Sequence, residues 1–336
     1  MVGKNIFKIT TLIVLLASFL MVSCSKVKSG SSNSTQDKIV KIGISQLVEH
    51  PALDSARKGF IDALKSKGFK DGNNIEIDFQ NAQGDIPTSQ TIAQNFVSEK
   101  KDMILAIATP AAQAAFNATK DIPILITAVT DPVSAGLVKS MEKSETNVTG
   151  TSDAAPIEKQ FELIKKLVPN AKKVGILYNT SESNSEVQAE QAKKIAPDFG
   201  FEIVTSGITN VNDISQALEA LLKKVDVLYA PTDNVIASSM ALISSKCVEA
   251  KIPVIAAEAG MVNSGALATE GIDYYNLGFQ TGLAAVEVIN GKRPQDMPVT
   301  TLKDTKLIIN TETADKLGIT IPQELKDKAE LVKGGK

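Results

Sequence analysis

Tryptophan is absent from this chain, histidine occurs once and cysteine only twice. Aromatic residues make up 4% of the sequence and the net charge is −2. Each scarcity excludes something. One histidine, with no Gly-x-Ser-x-Gly elbow and no phosphate loop, leaves the usual hydrolytic and phosphoryl-transfer chemistries without their groups. A near-neutral chain lacks the basic stripe that a nucleic-acid partner demands. No metal site is expected, because one histidine and scattered acids give no oxygen-rich cluster, and no cofactor is expected. Two cysteines cannot make a disulfide framework, so the fold must be held by burial of its 43% hydrophobic residues.

What is present begins at the N-terminus. Lys4 and Lys8 precede an apolar run over residues 12–24, which is too short to cross a bilayer comfortably and stops at Cys24. That is the layout of an export signal, here residues 1–23. Ser23-Cys24 resembles the lipobox of bacterial lipoproteins, in which the cysteine becomes the lipidated N-terminus. A lipid on Cys24 would tether the protein to the outer face of a membrane. Residues 24–37 have nothing to bury and read as a flexible tether. Cys247 is then left without a partner, and its setting in an apolar helical pattern makes it a buried core residue.

From residue 39 onward, strand and helix patterns alternate. Apolar runs over 39–44, 103–108 and 124–129 and an alternating stretch over 75–79 predict strands. Amphipathic stretches over 52–67, 88–99 and 111–119 predict helices. Nearly unbroken apolar strands between helices mean a parallel sheet covered on both faces. The order then recurs: Gly175 stands to Gly43, and Gly200-Phe201 to Gly68-Phe69, at one and the same offset. Asp226-Val-Leu-Tyr-Ala-Pro-Thr232 echoes Asp102-Met-Ile-Leu-Ala-Ile-Ala-Thr109, and Ile252-Pro-Val-Ile255 echoes Ile122-Pro-Ile-Leu125. The expected fold is α/β, with two similar lobes. Residues 38–150 plus 276–305 form the first and 151–275 plus 306–332 the second. The pieces after residue 276, a helix over 276–290, a strand over 307–310 and a short helix over 313–317, return across the junction as a hinge.

In open parallel sheets, ligands sit beyond the carboxyl ends of the strands. In this chain the segments that follow the strands are polar. They supply Gln46, Glu49 and His50, then Thr109, Ala111 and Gln113 at a helix start, then Thr130 and Asp131. The second lobe adds Tyr178, Asn179 and Asn184, then Thr232, Asp233 and Asn234, then Glu258, then Asp273. The helix opening at Ala111 suits a carboxylate, with hydroxyls from Thr109 and Thr130. An ammonium group needs acids, and Asp233, Glu258 and Asp273 lie on loops of the second lobe. A group carrying both charges one carbon apart is an α-amino acid. Tyr178, Tyr274 and Phe116 offer apolar faces. Each residue also has a plainer use: Thr, Asp and Asn before helices cap them, worth about 1 kcal/mol, His50 before Pro51 suits a helix start, Asp131-Pro132 is a turn signal, and Tyr178 could be core.

The stretch Ile42-Gly-Ile-Ser-Gln-Leu-Val-Glu-His-Pro-Ala-Leu-Asp54 resembles the opening of a family of substrate-binding lipoproteins of ABC transporters, with tryptophan- and tyrosine-type members. The likeness continues through Ala108-Thr-Pro-Ala-Ala-Gln113, Ala128-Val-Thr-Asp-Pro-Val133, Val174-Gly-Ile-Leu-Tyr-Asn179, Tyr229-Ala-Pro-Thr-Asp-Asn234 and Gly271-Ile-Asp-Tyr-Tyr275. It implies a periplasmic-binding-protein-like fold of type I and a monomeric, non-enzymatic receptor that passes an amino acid, aromatic by the resemblance, to an ABC permease. The chain is similar, more distantly, to branched-chain amino-acid receptors, in which one lobe grips the ligand carboxylate through Ser/Thr and backbone N–H groups and an acid of the other meets the amine. By position that acid is Glu258, with Asp233 competing. A sugar or other small-solute receptor, or a surface sensor or adhesin on the same fold, is the alternative; missing tryptophan platforms weigh against a sugar.

Overall fold

The computed structural model describes residues 39–154 and 156–334; the export signal, Cys24 and the tether lie outside them. The first lobe opens with β1 (Val40–Gln46), α1 (Pro51–Ser66), β2 (Ile75–Asn81), α2 (Ile86–Ser98), β3 (Met103–Ile107), α3 (Thr109–Ala118), β4 (Ile124–Val129) and β5 (Val148–Ser152). Pro51 starts α1 where no N–H is needed, and Ala52, Leu53, Ala56, Phe60, Ala63 and Leu64 bury one face of it. Every residue of β3 and β4 is buried, as a sheet with helices on both faces requires.

The second lobe follows with α4 (Ile157–Leu167), β6 (Lys173–Asn179), α5 (Ser183–Ile195), β7 (Glu202–Ile208), α6 (Ile214–Leu222), β8 (Val227–Ala230), α7 (Asn234–Ser238), α8 (Met240–Glu249), β9 (Val254–Ala256), α9 (Ala259–Asn263) and β10 (Ala268–Ile272). The apolar helical pattern that holds Cys247 is divided between α7 and α8, because Ser239 leaves helical geometry at φ −103° and ψ 7°. The chain ends with α10 (Tyr274–Ile289), β11 (Val299–Thr301), β12 (Thr305–Asn310), α11 (Thr311–Leu317), α12 (Gln323–Lys326) and β13 (Glu330–Val332).

Two sheets result. Their orders are β11-β5-β4-β3-β1-β2 and β13-β12-β10-β9-β8-β6-β7. Read from the β2 and β7 edges, both begin with the same five-strand permutation, so the lobes are built alike. All pairings are parallel except β10 with β12. Among the described residues the chain passes between the sheets three times: between β5 and α4, after β10 at Asp273, and between β11 and β12 through residues 302–304.

Although α10 follows a strand of the second sheet, it packs along α1 of the first lobe. The two helices approach until backbone meets backbone. A Cβ on Gly278 would lie 1.8 Å from the Ala56 carbonyl oxygen, and one on Gly59 2.0 Å from that of Tyr275. Only glycine permits that approach. The pair forms a rigid block whose two N-termini, at His50-Pro51 and Asp273-Tyr274, both lie where the lobes meet.

Candidate functional site

The strand ends of the two sheets face one another across a narrow gap. Its walls are His50, Leu53, Ala128 and Asp153 on one side and Thr232, Asp233, Asn234, Ala237, Glu258 and Met261 on the other, with Tyr274 at the crossover. The void between them is about 10 Å³, room for about one water. A wider groove, about 480 Å³, opens beside it between Val48 and residues 83–87 of the first lobe and Asn179, Glu182, Asn234, Val235 and Ser238 of the second.

Two polar contacts cross the gap. Thr130 Oγ1 and Thr232 Oγ1 lie 3.0 Å apart. His50 Nε2 lies 3.4 Å from Asn234 Oδ1. Because Glu182 takes the amide nitrogen of Asn234, it is the amide oxygen that faces the ring. Nε2 therefore carries the proton, and Nδ1, buried and without a partner, is a bare acceptor. Burial lowers the pKa of His50 to about 4, so the ring is neutral. It caps nothing at the start of α1.

The gap is rich in buried acids and poor in cations. Among the described residues, neither lysine nor arginine lines it. Glu258 caps α9, accepting from the backbone N–H of Gly260 and, at 2.9 Å, of Met261. Burial and the neighbouring Asp153 raise its pKa to about 7. Asp153, also fully enclosed, accepts a 2.6 Å hydrogen bond from the Tyr274 hydroxyl on Oδ2, with the Thr130 hydroxyl as a second neighbour that favours the carboxylate, while Oδ1 makes no hydrogen bond. Burial pushes its carboxyl above the usual range. Asp233 is differently placed. Its carboxylate accepts from the N–H of Asn179 at 2.6 Å and of Ile236 at 3.0 Å, and from the Ser185 hydroxyl. It fastens the end of β6 to the start of α7.

Of the residues expected from sequence, the structure brings His50, Thr130, Thr232, Asp233, Asn234 and Glu258 together. Asn179 and Asn184 stand one layer behind, with Asn179 Nδ2 donating to Glu182 and Asn184 Nδ2 donating at 2.9 Å to the Thr232 carbonyl. The others lie elsewhere. Gln46 is buried at the end of β1, donating to Asp54 and the Val48 carbonyl and accepting from Arg57. Thr109 and Ala111 are buried in the first turn of α3 and do not line the void. Asp131 closes its own turn on Val133 and Ser134. Tyr178 packs on the second-lobe core. Asp273 caps α10 and pairs with Lys306 at 3.0 Å. Phe116 lies under Lys120 on a surface groove of the first lobe.

Sequence reasoning missed Asp153, Glu182 and Gln188, and gave Tyr274 only an apolar part. Gln188 Nε2 donates to the Thr232 hydroxyl at 2.6 Å, and its Oε1 accepts from the Thr232 N–H at 3.1 Å. Asp153 follows a strand spelled Val-Thr-Gly-Thr-Ser, which lacks the apolar run that marks the other strands; the one available signal was an acid between that stretch and the next helix.

The sequence model of the ABC transporter substrate binding proteins matches residues 41–333. A tyrosine-binding protein of Clostridioides difficile (strain R20291) is 54% identical over 318 residues, 92% of each chain. Among solved structures, an ABC domain from Streptococcus pneumoniae in complex with L-Trp is 40% identical, with a TM-score of 0.85 over 88% of this chain and 100% of its own. The ligand-free, open structure of a Clostridium difficile substrate binding protein with adhesive properties is 56% identical over the same shares, yet overlays at 0.68. The more similar sequence is the poorer overlay, so the described residues match the ligand complex better than they match the open structure. With doubled sheets, a gap between them and a match that runs through both lobes, the chain belongs to the ABC transporter substrate-binding protein family.

Proposed function

We propose that the chain is an extracytoplasmic, lipid-anchored, monomeric receptor that binds one amino acid between its lobes and delivers it to the permease of an ABC importer. One observation carries the ligand class: Asp153 and Glu258 are buried together at the gap, and among the described residues no lysine or arginine lines it to answer them. Buried acids of this kind are stable when a positive group joins them. A ligand ammonium is such a group, and Leu53, Ala128, Ala237, Met261 and the Tyr274 ring form apolar walls for a side chain. The names of the relatives make L-tyrosine and L-tryptophan the first candidates.

A void of about 10 Å³ admits neither, so the lobes must part for entry and close again. Closure follows ligand only as far as the ligand prefers the closed form, which requires that it touch both lobes. The anchor rests on the signal over 1–23 and on Cys24. Calorimetry of the full chain in detergent against the amino acids and common sugars tests the ligand class; heat from an aromatic amino acid is expected, and a response to a sugar alone would refute it. Cys24→Ser should move the protein out of the membrane fraction, and full retention would speak against the lipid.

A further inference from the structure

Three acids line the gap, and they are not equivalent. Asp233 is filled by two backbone N–H groups and a hydroxyl. Both oxygens of Glu258 are engaged by the first N–H groups of α9. Among the described residues that line the gap, Asp153 alone keeps a carboxylate oxygen, Oδ1, that is buried and unengaged. Its position in the chain is equally particular. Asp153 begins the crossover from β5 to α4, and Tyr274 ends the crossover from β10 to α10. Their 2.6 Å hydrogen bond therefore fastens two of the three connections between the lobes. Asp153 is also pinned to the first sheet, its N–H donating at 3.2 Å to the Val129 carbonyl, while the adjacent Ser152 hydroxyl donates at 2.8 Å to that of Thr130.

We infer that Asp153, held by Tyr274, is the anchor for the ligand's ammonium group and ties that charge to two hinge crossovers. The inference rests on the reading of the gap as an amino-acid site. An ammonium has three N–H donors; Oδ1 of Asp153 and Nδ1 of His50 are the unengaged acceptors in the walls. Tyr274 is a positioning residue: its hydroxyl orients the carboxylate so that Oδ1 is left for the ligand, and it stabilises the charged form. The other titratable groups facing Asp153 are Glu258, His50 and Asp233. A ligand cation offsets the repulsion between Asp153 and Glu258, so both are ionised when it is bound.

The test compares L-tyrosine with its deaminated analogue, 3-(4-hydroxyphenyl)propionate, on the full chain in detergent from pH 5 to 8. Asp153→Asn should weaken tyrosine at least 100-fold and the analogue less than threefold. Tyr274→Phe should weaken tyrosine about tenfold and shift the fall of affinity on acidification to higher pH, because the carboxylate has lost a donor. Equal losses for tyrosine and analogue in Asp153→Asn would make the residue structural and overturn the inference. So would a Tyr274→Phe profile that keeps the wild-type pH dependence. If the wild type binds tyrosine and both variants match it, the anchor is wrong and the amino-acid reading stands. If the wild type binds no amino acid, both fall.

Discussion

Closure brings the first turn of α9 against the first turn of α1, and Gly260 is where they touch. A Cβ on that residue would lie 3.1 Å from the Pro51 Cβ and 3.3 Å from the Ala52 nitrogen, across the gap, and 2.9 Å from Oε2 of its own neighbour Glu258. These separations are tighter than ordinary contact, and Ala52 contributes backbone that cannot rotate away. Gly260→Ala therefore acts as a wedge. Overpacking of this kind costs about 1–3 kcal/mol, and in this case the cost falls on the closed form, since parting the lobes removes Pro51 and Ala52 from reach. At 1.4 kcal/mol per decade the ligand should bind about 5- to 150-fold more weakly. The open form should feel the opposite influence, because alanine in a helix is better than glycine by up to about 1 kcal/mol. Calorimetry for affinity, small-angle scattering for ligand-free compactness and a melting curve for stability separate the two. Weaker binding, a more extended ligand-free molecule and an unreduced melting temperature are expected. An unchanged affinity, or a melting temperature that falls while compactness is kept, would refute the wedge and with it the assignment of this contact to closure.

Asp233→Asn should lower the melting temperature, because the amide keeps one acceptor and must set its NH2 against either the Asn179 or the Ile236 N–H, while the preference for tyrosine over its deaminated analogue stays at the wild-type value; a collapse of that preference would return Asp233 to the amine site. Gly278→Ala should cost 3 kcal/mol or more, on the order of the largest core substitutions, because its Cβ would fall 1.8 Å from the Ala56 carbonyl and drive α10 from α1; denaturant titration reads it, and a loss under about 1 kcal/mol would contradict the packing. The pH dependence carries two opposed contributions. Glu258, raised to about 7, gives stability that is present below its ordinary 4.5 and is lost as pH rises through 7, and Glu182, raised by burial and by Asp233, acts the same way. His50, lowered to about 4, gives stability that is present above its ordinary 6.5 and is lost as pH falls towards 4. As the chain has one histidine, His50→Asn isolates that half: between pH 7 and pH 5 the variant should gain about 2 kcal/mol more than the wild type. Parallel curves would show the ring to be solvated.

Apolar strands and glycine landmarks made both lobes legible, because a strand buried on both faces must be apolar, the positive φ of Gly68 and Gly200 favours glycine, and Gly43 and Gly175 leave room for helix side chains packed on their strands. Where those signals fail, so did the reading. β5 is Val-Thr-Gly-Thr-Ser, wholly buried but satisfied by its neighbours: the Thr149 hydroxyl donates to the Pro298 carbonyl and the Thr151 hydroxyl meets that of Thr281. Those partners come from the returning segment more than a hundred residues on, and no local pattern reports them.

The site divides along the same line. Glu258, Asp233, Asn234 and Thr232 are findable because each follows a strand of the repeat, where the fold places ligands. What strand ends do not disclose is how many donors each acid already has. Glu258 spends both oxygens on its own helix, an ordinary capping use, and Asp233 spends one on its helix and the other on the Asn179 N–H. Asp153 has no helix to cap; it lies in a crossover, where burial would be costly unless something else supplied donors. Tyr274 supplies one. A ligand ammonium that completes the unengaged oxygen removes the cost of leaving it unpaired, and for that reason the residue least visible in the sequence is the one on which the proposed recognition turns.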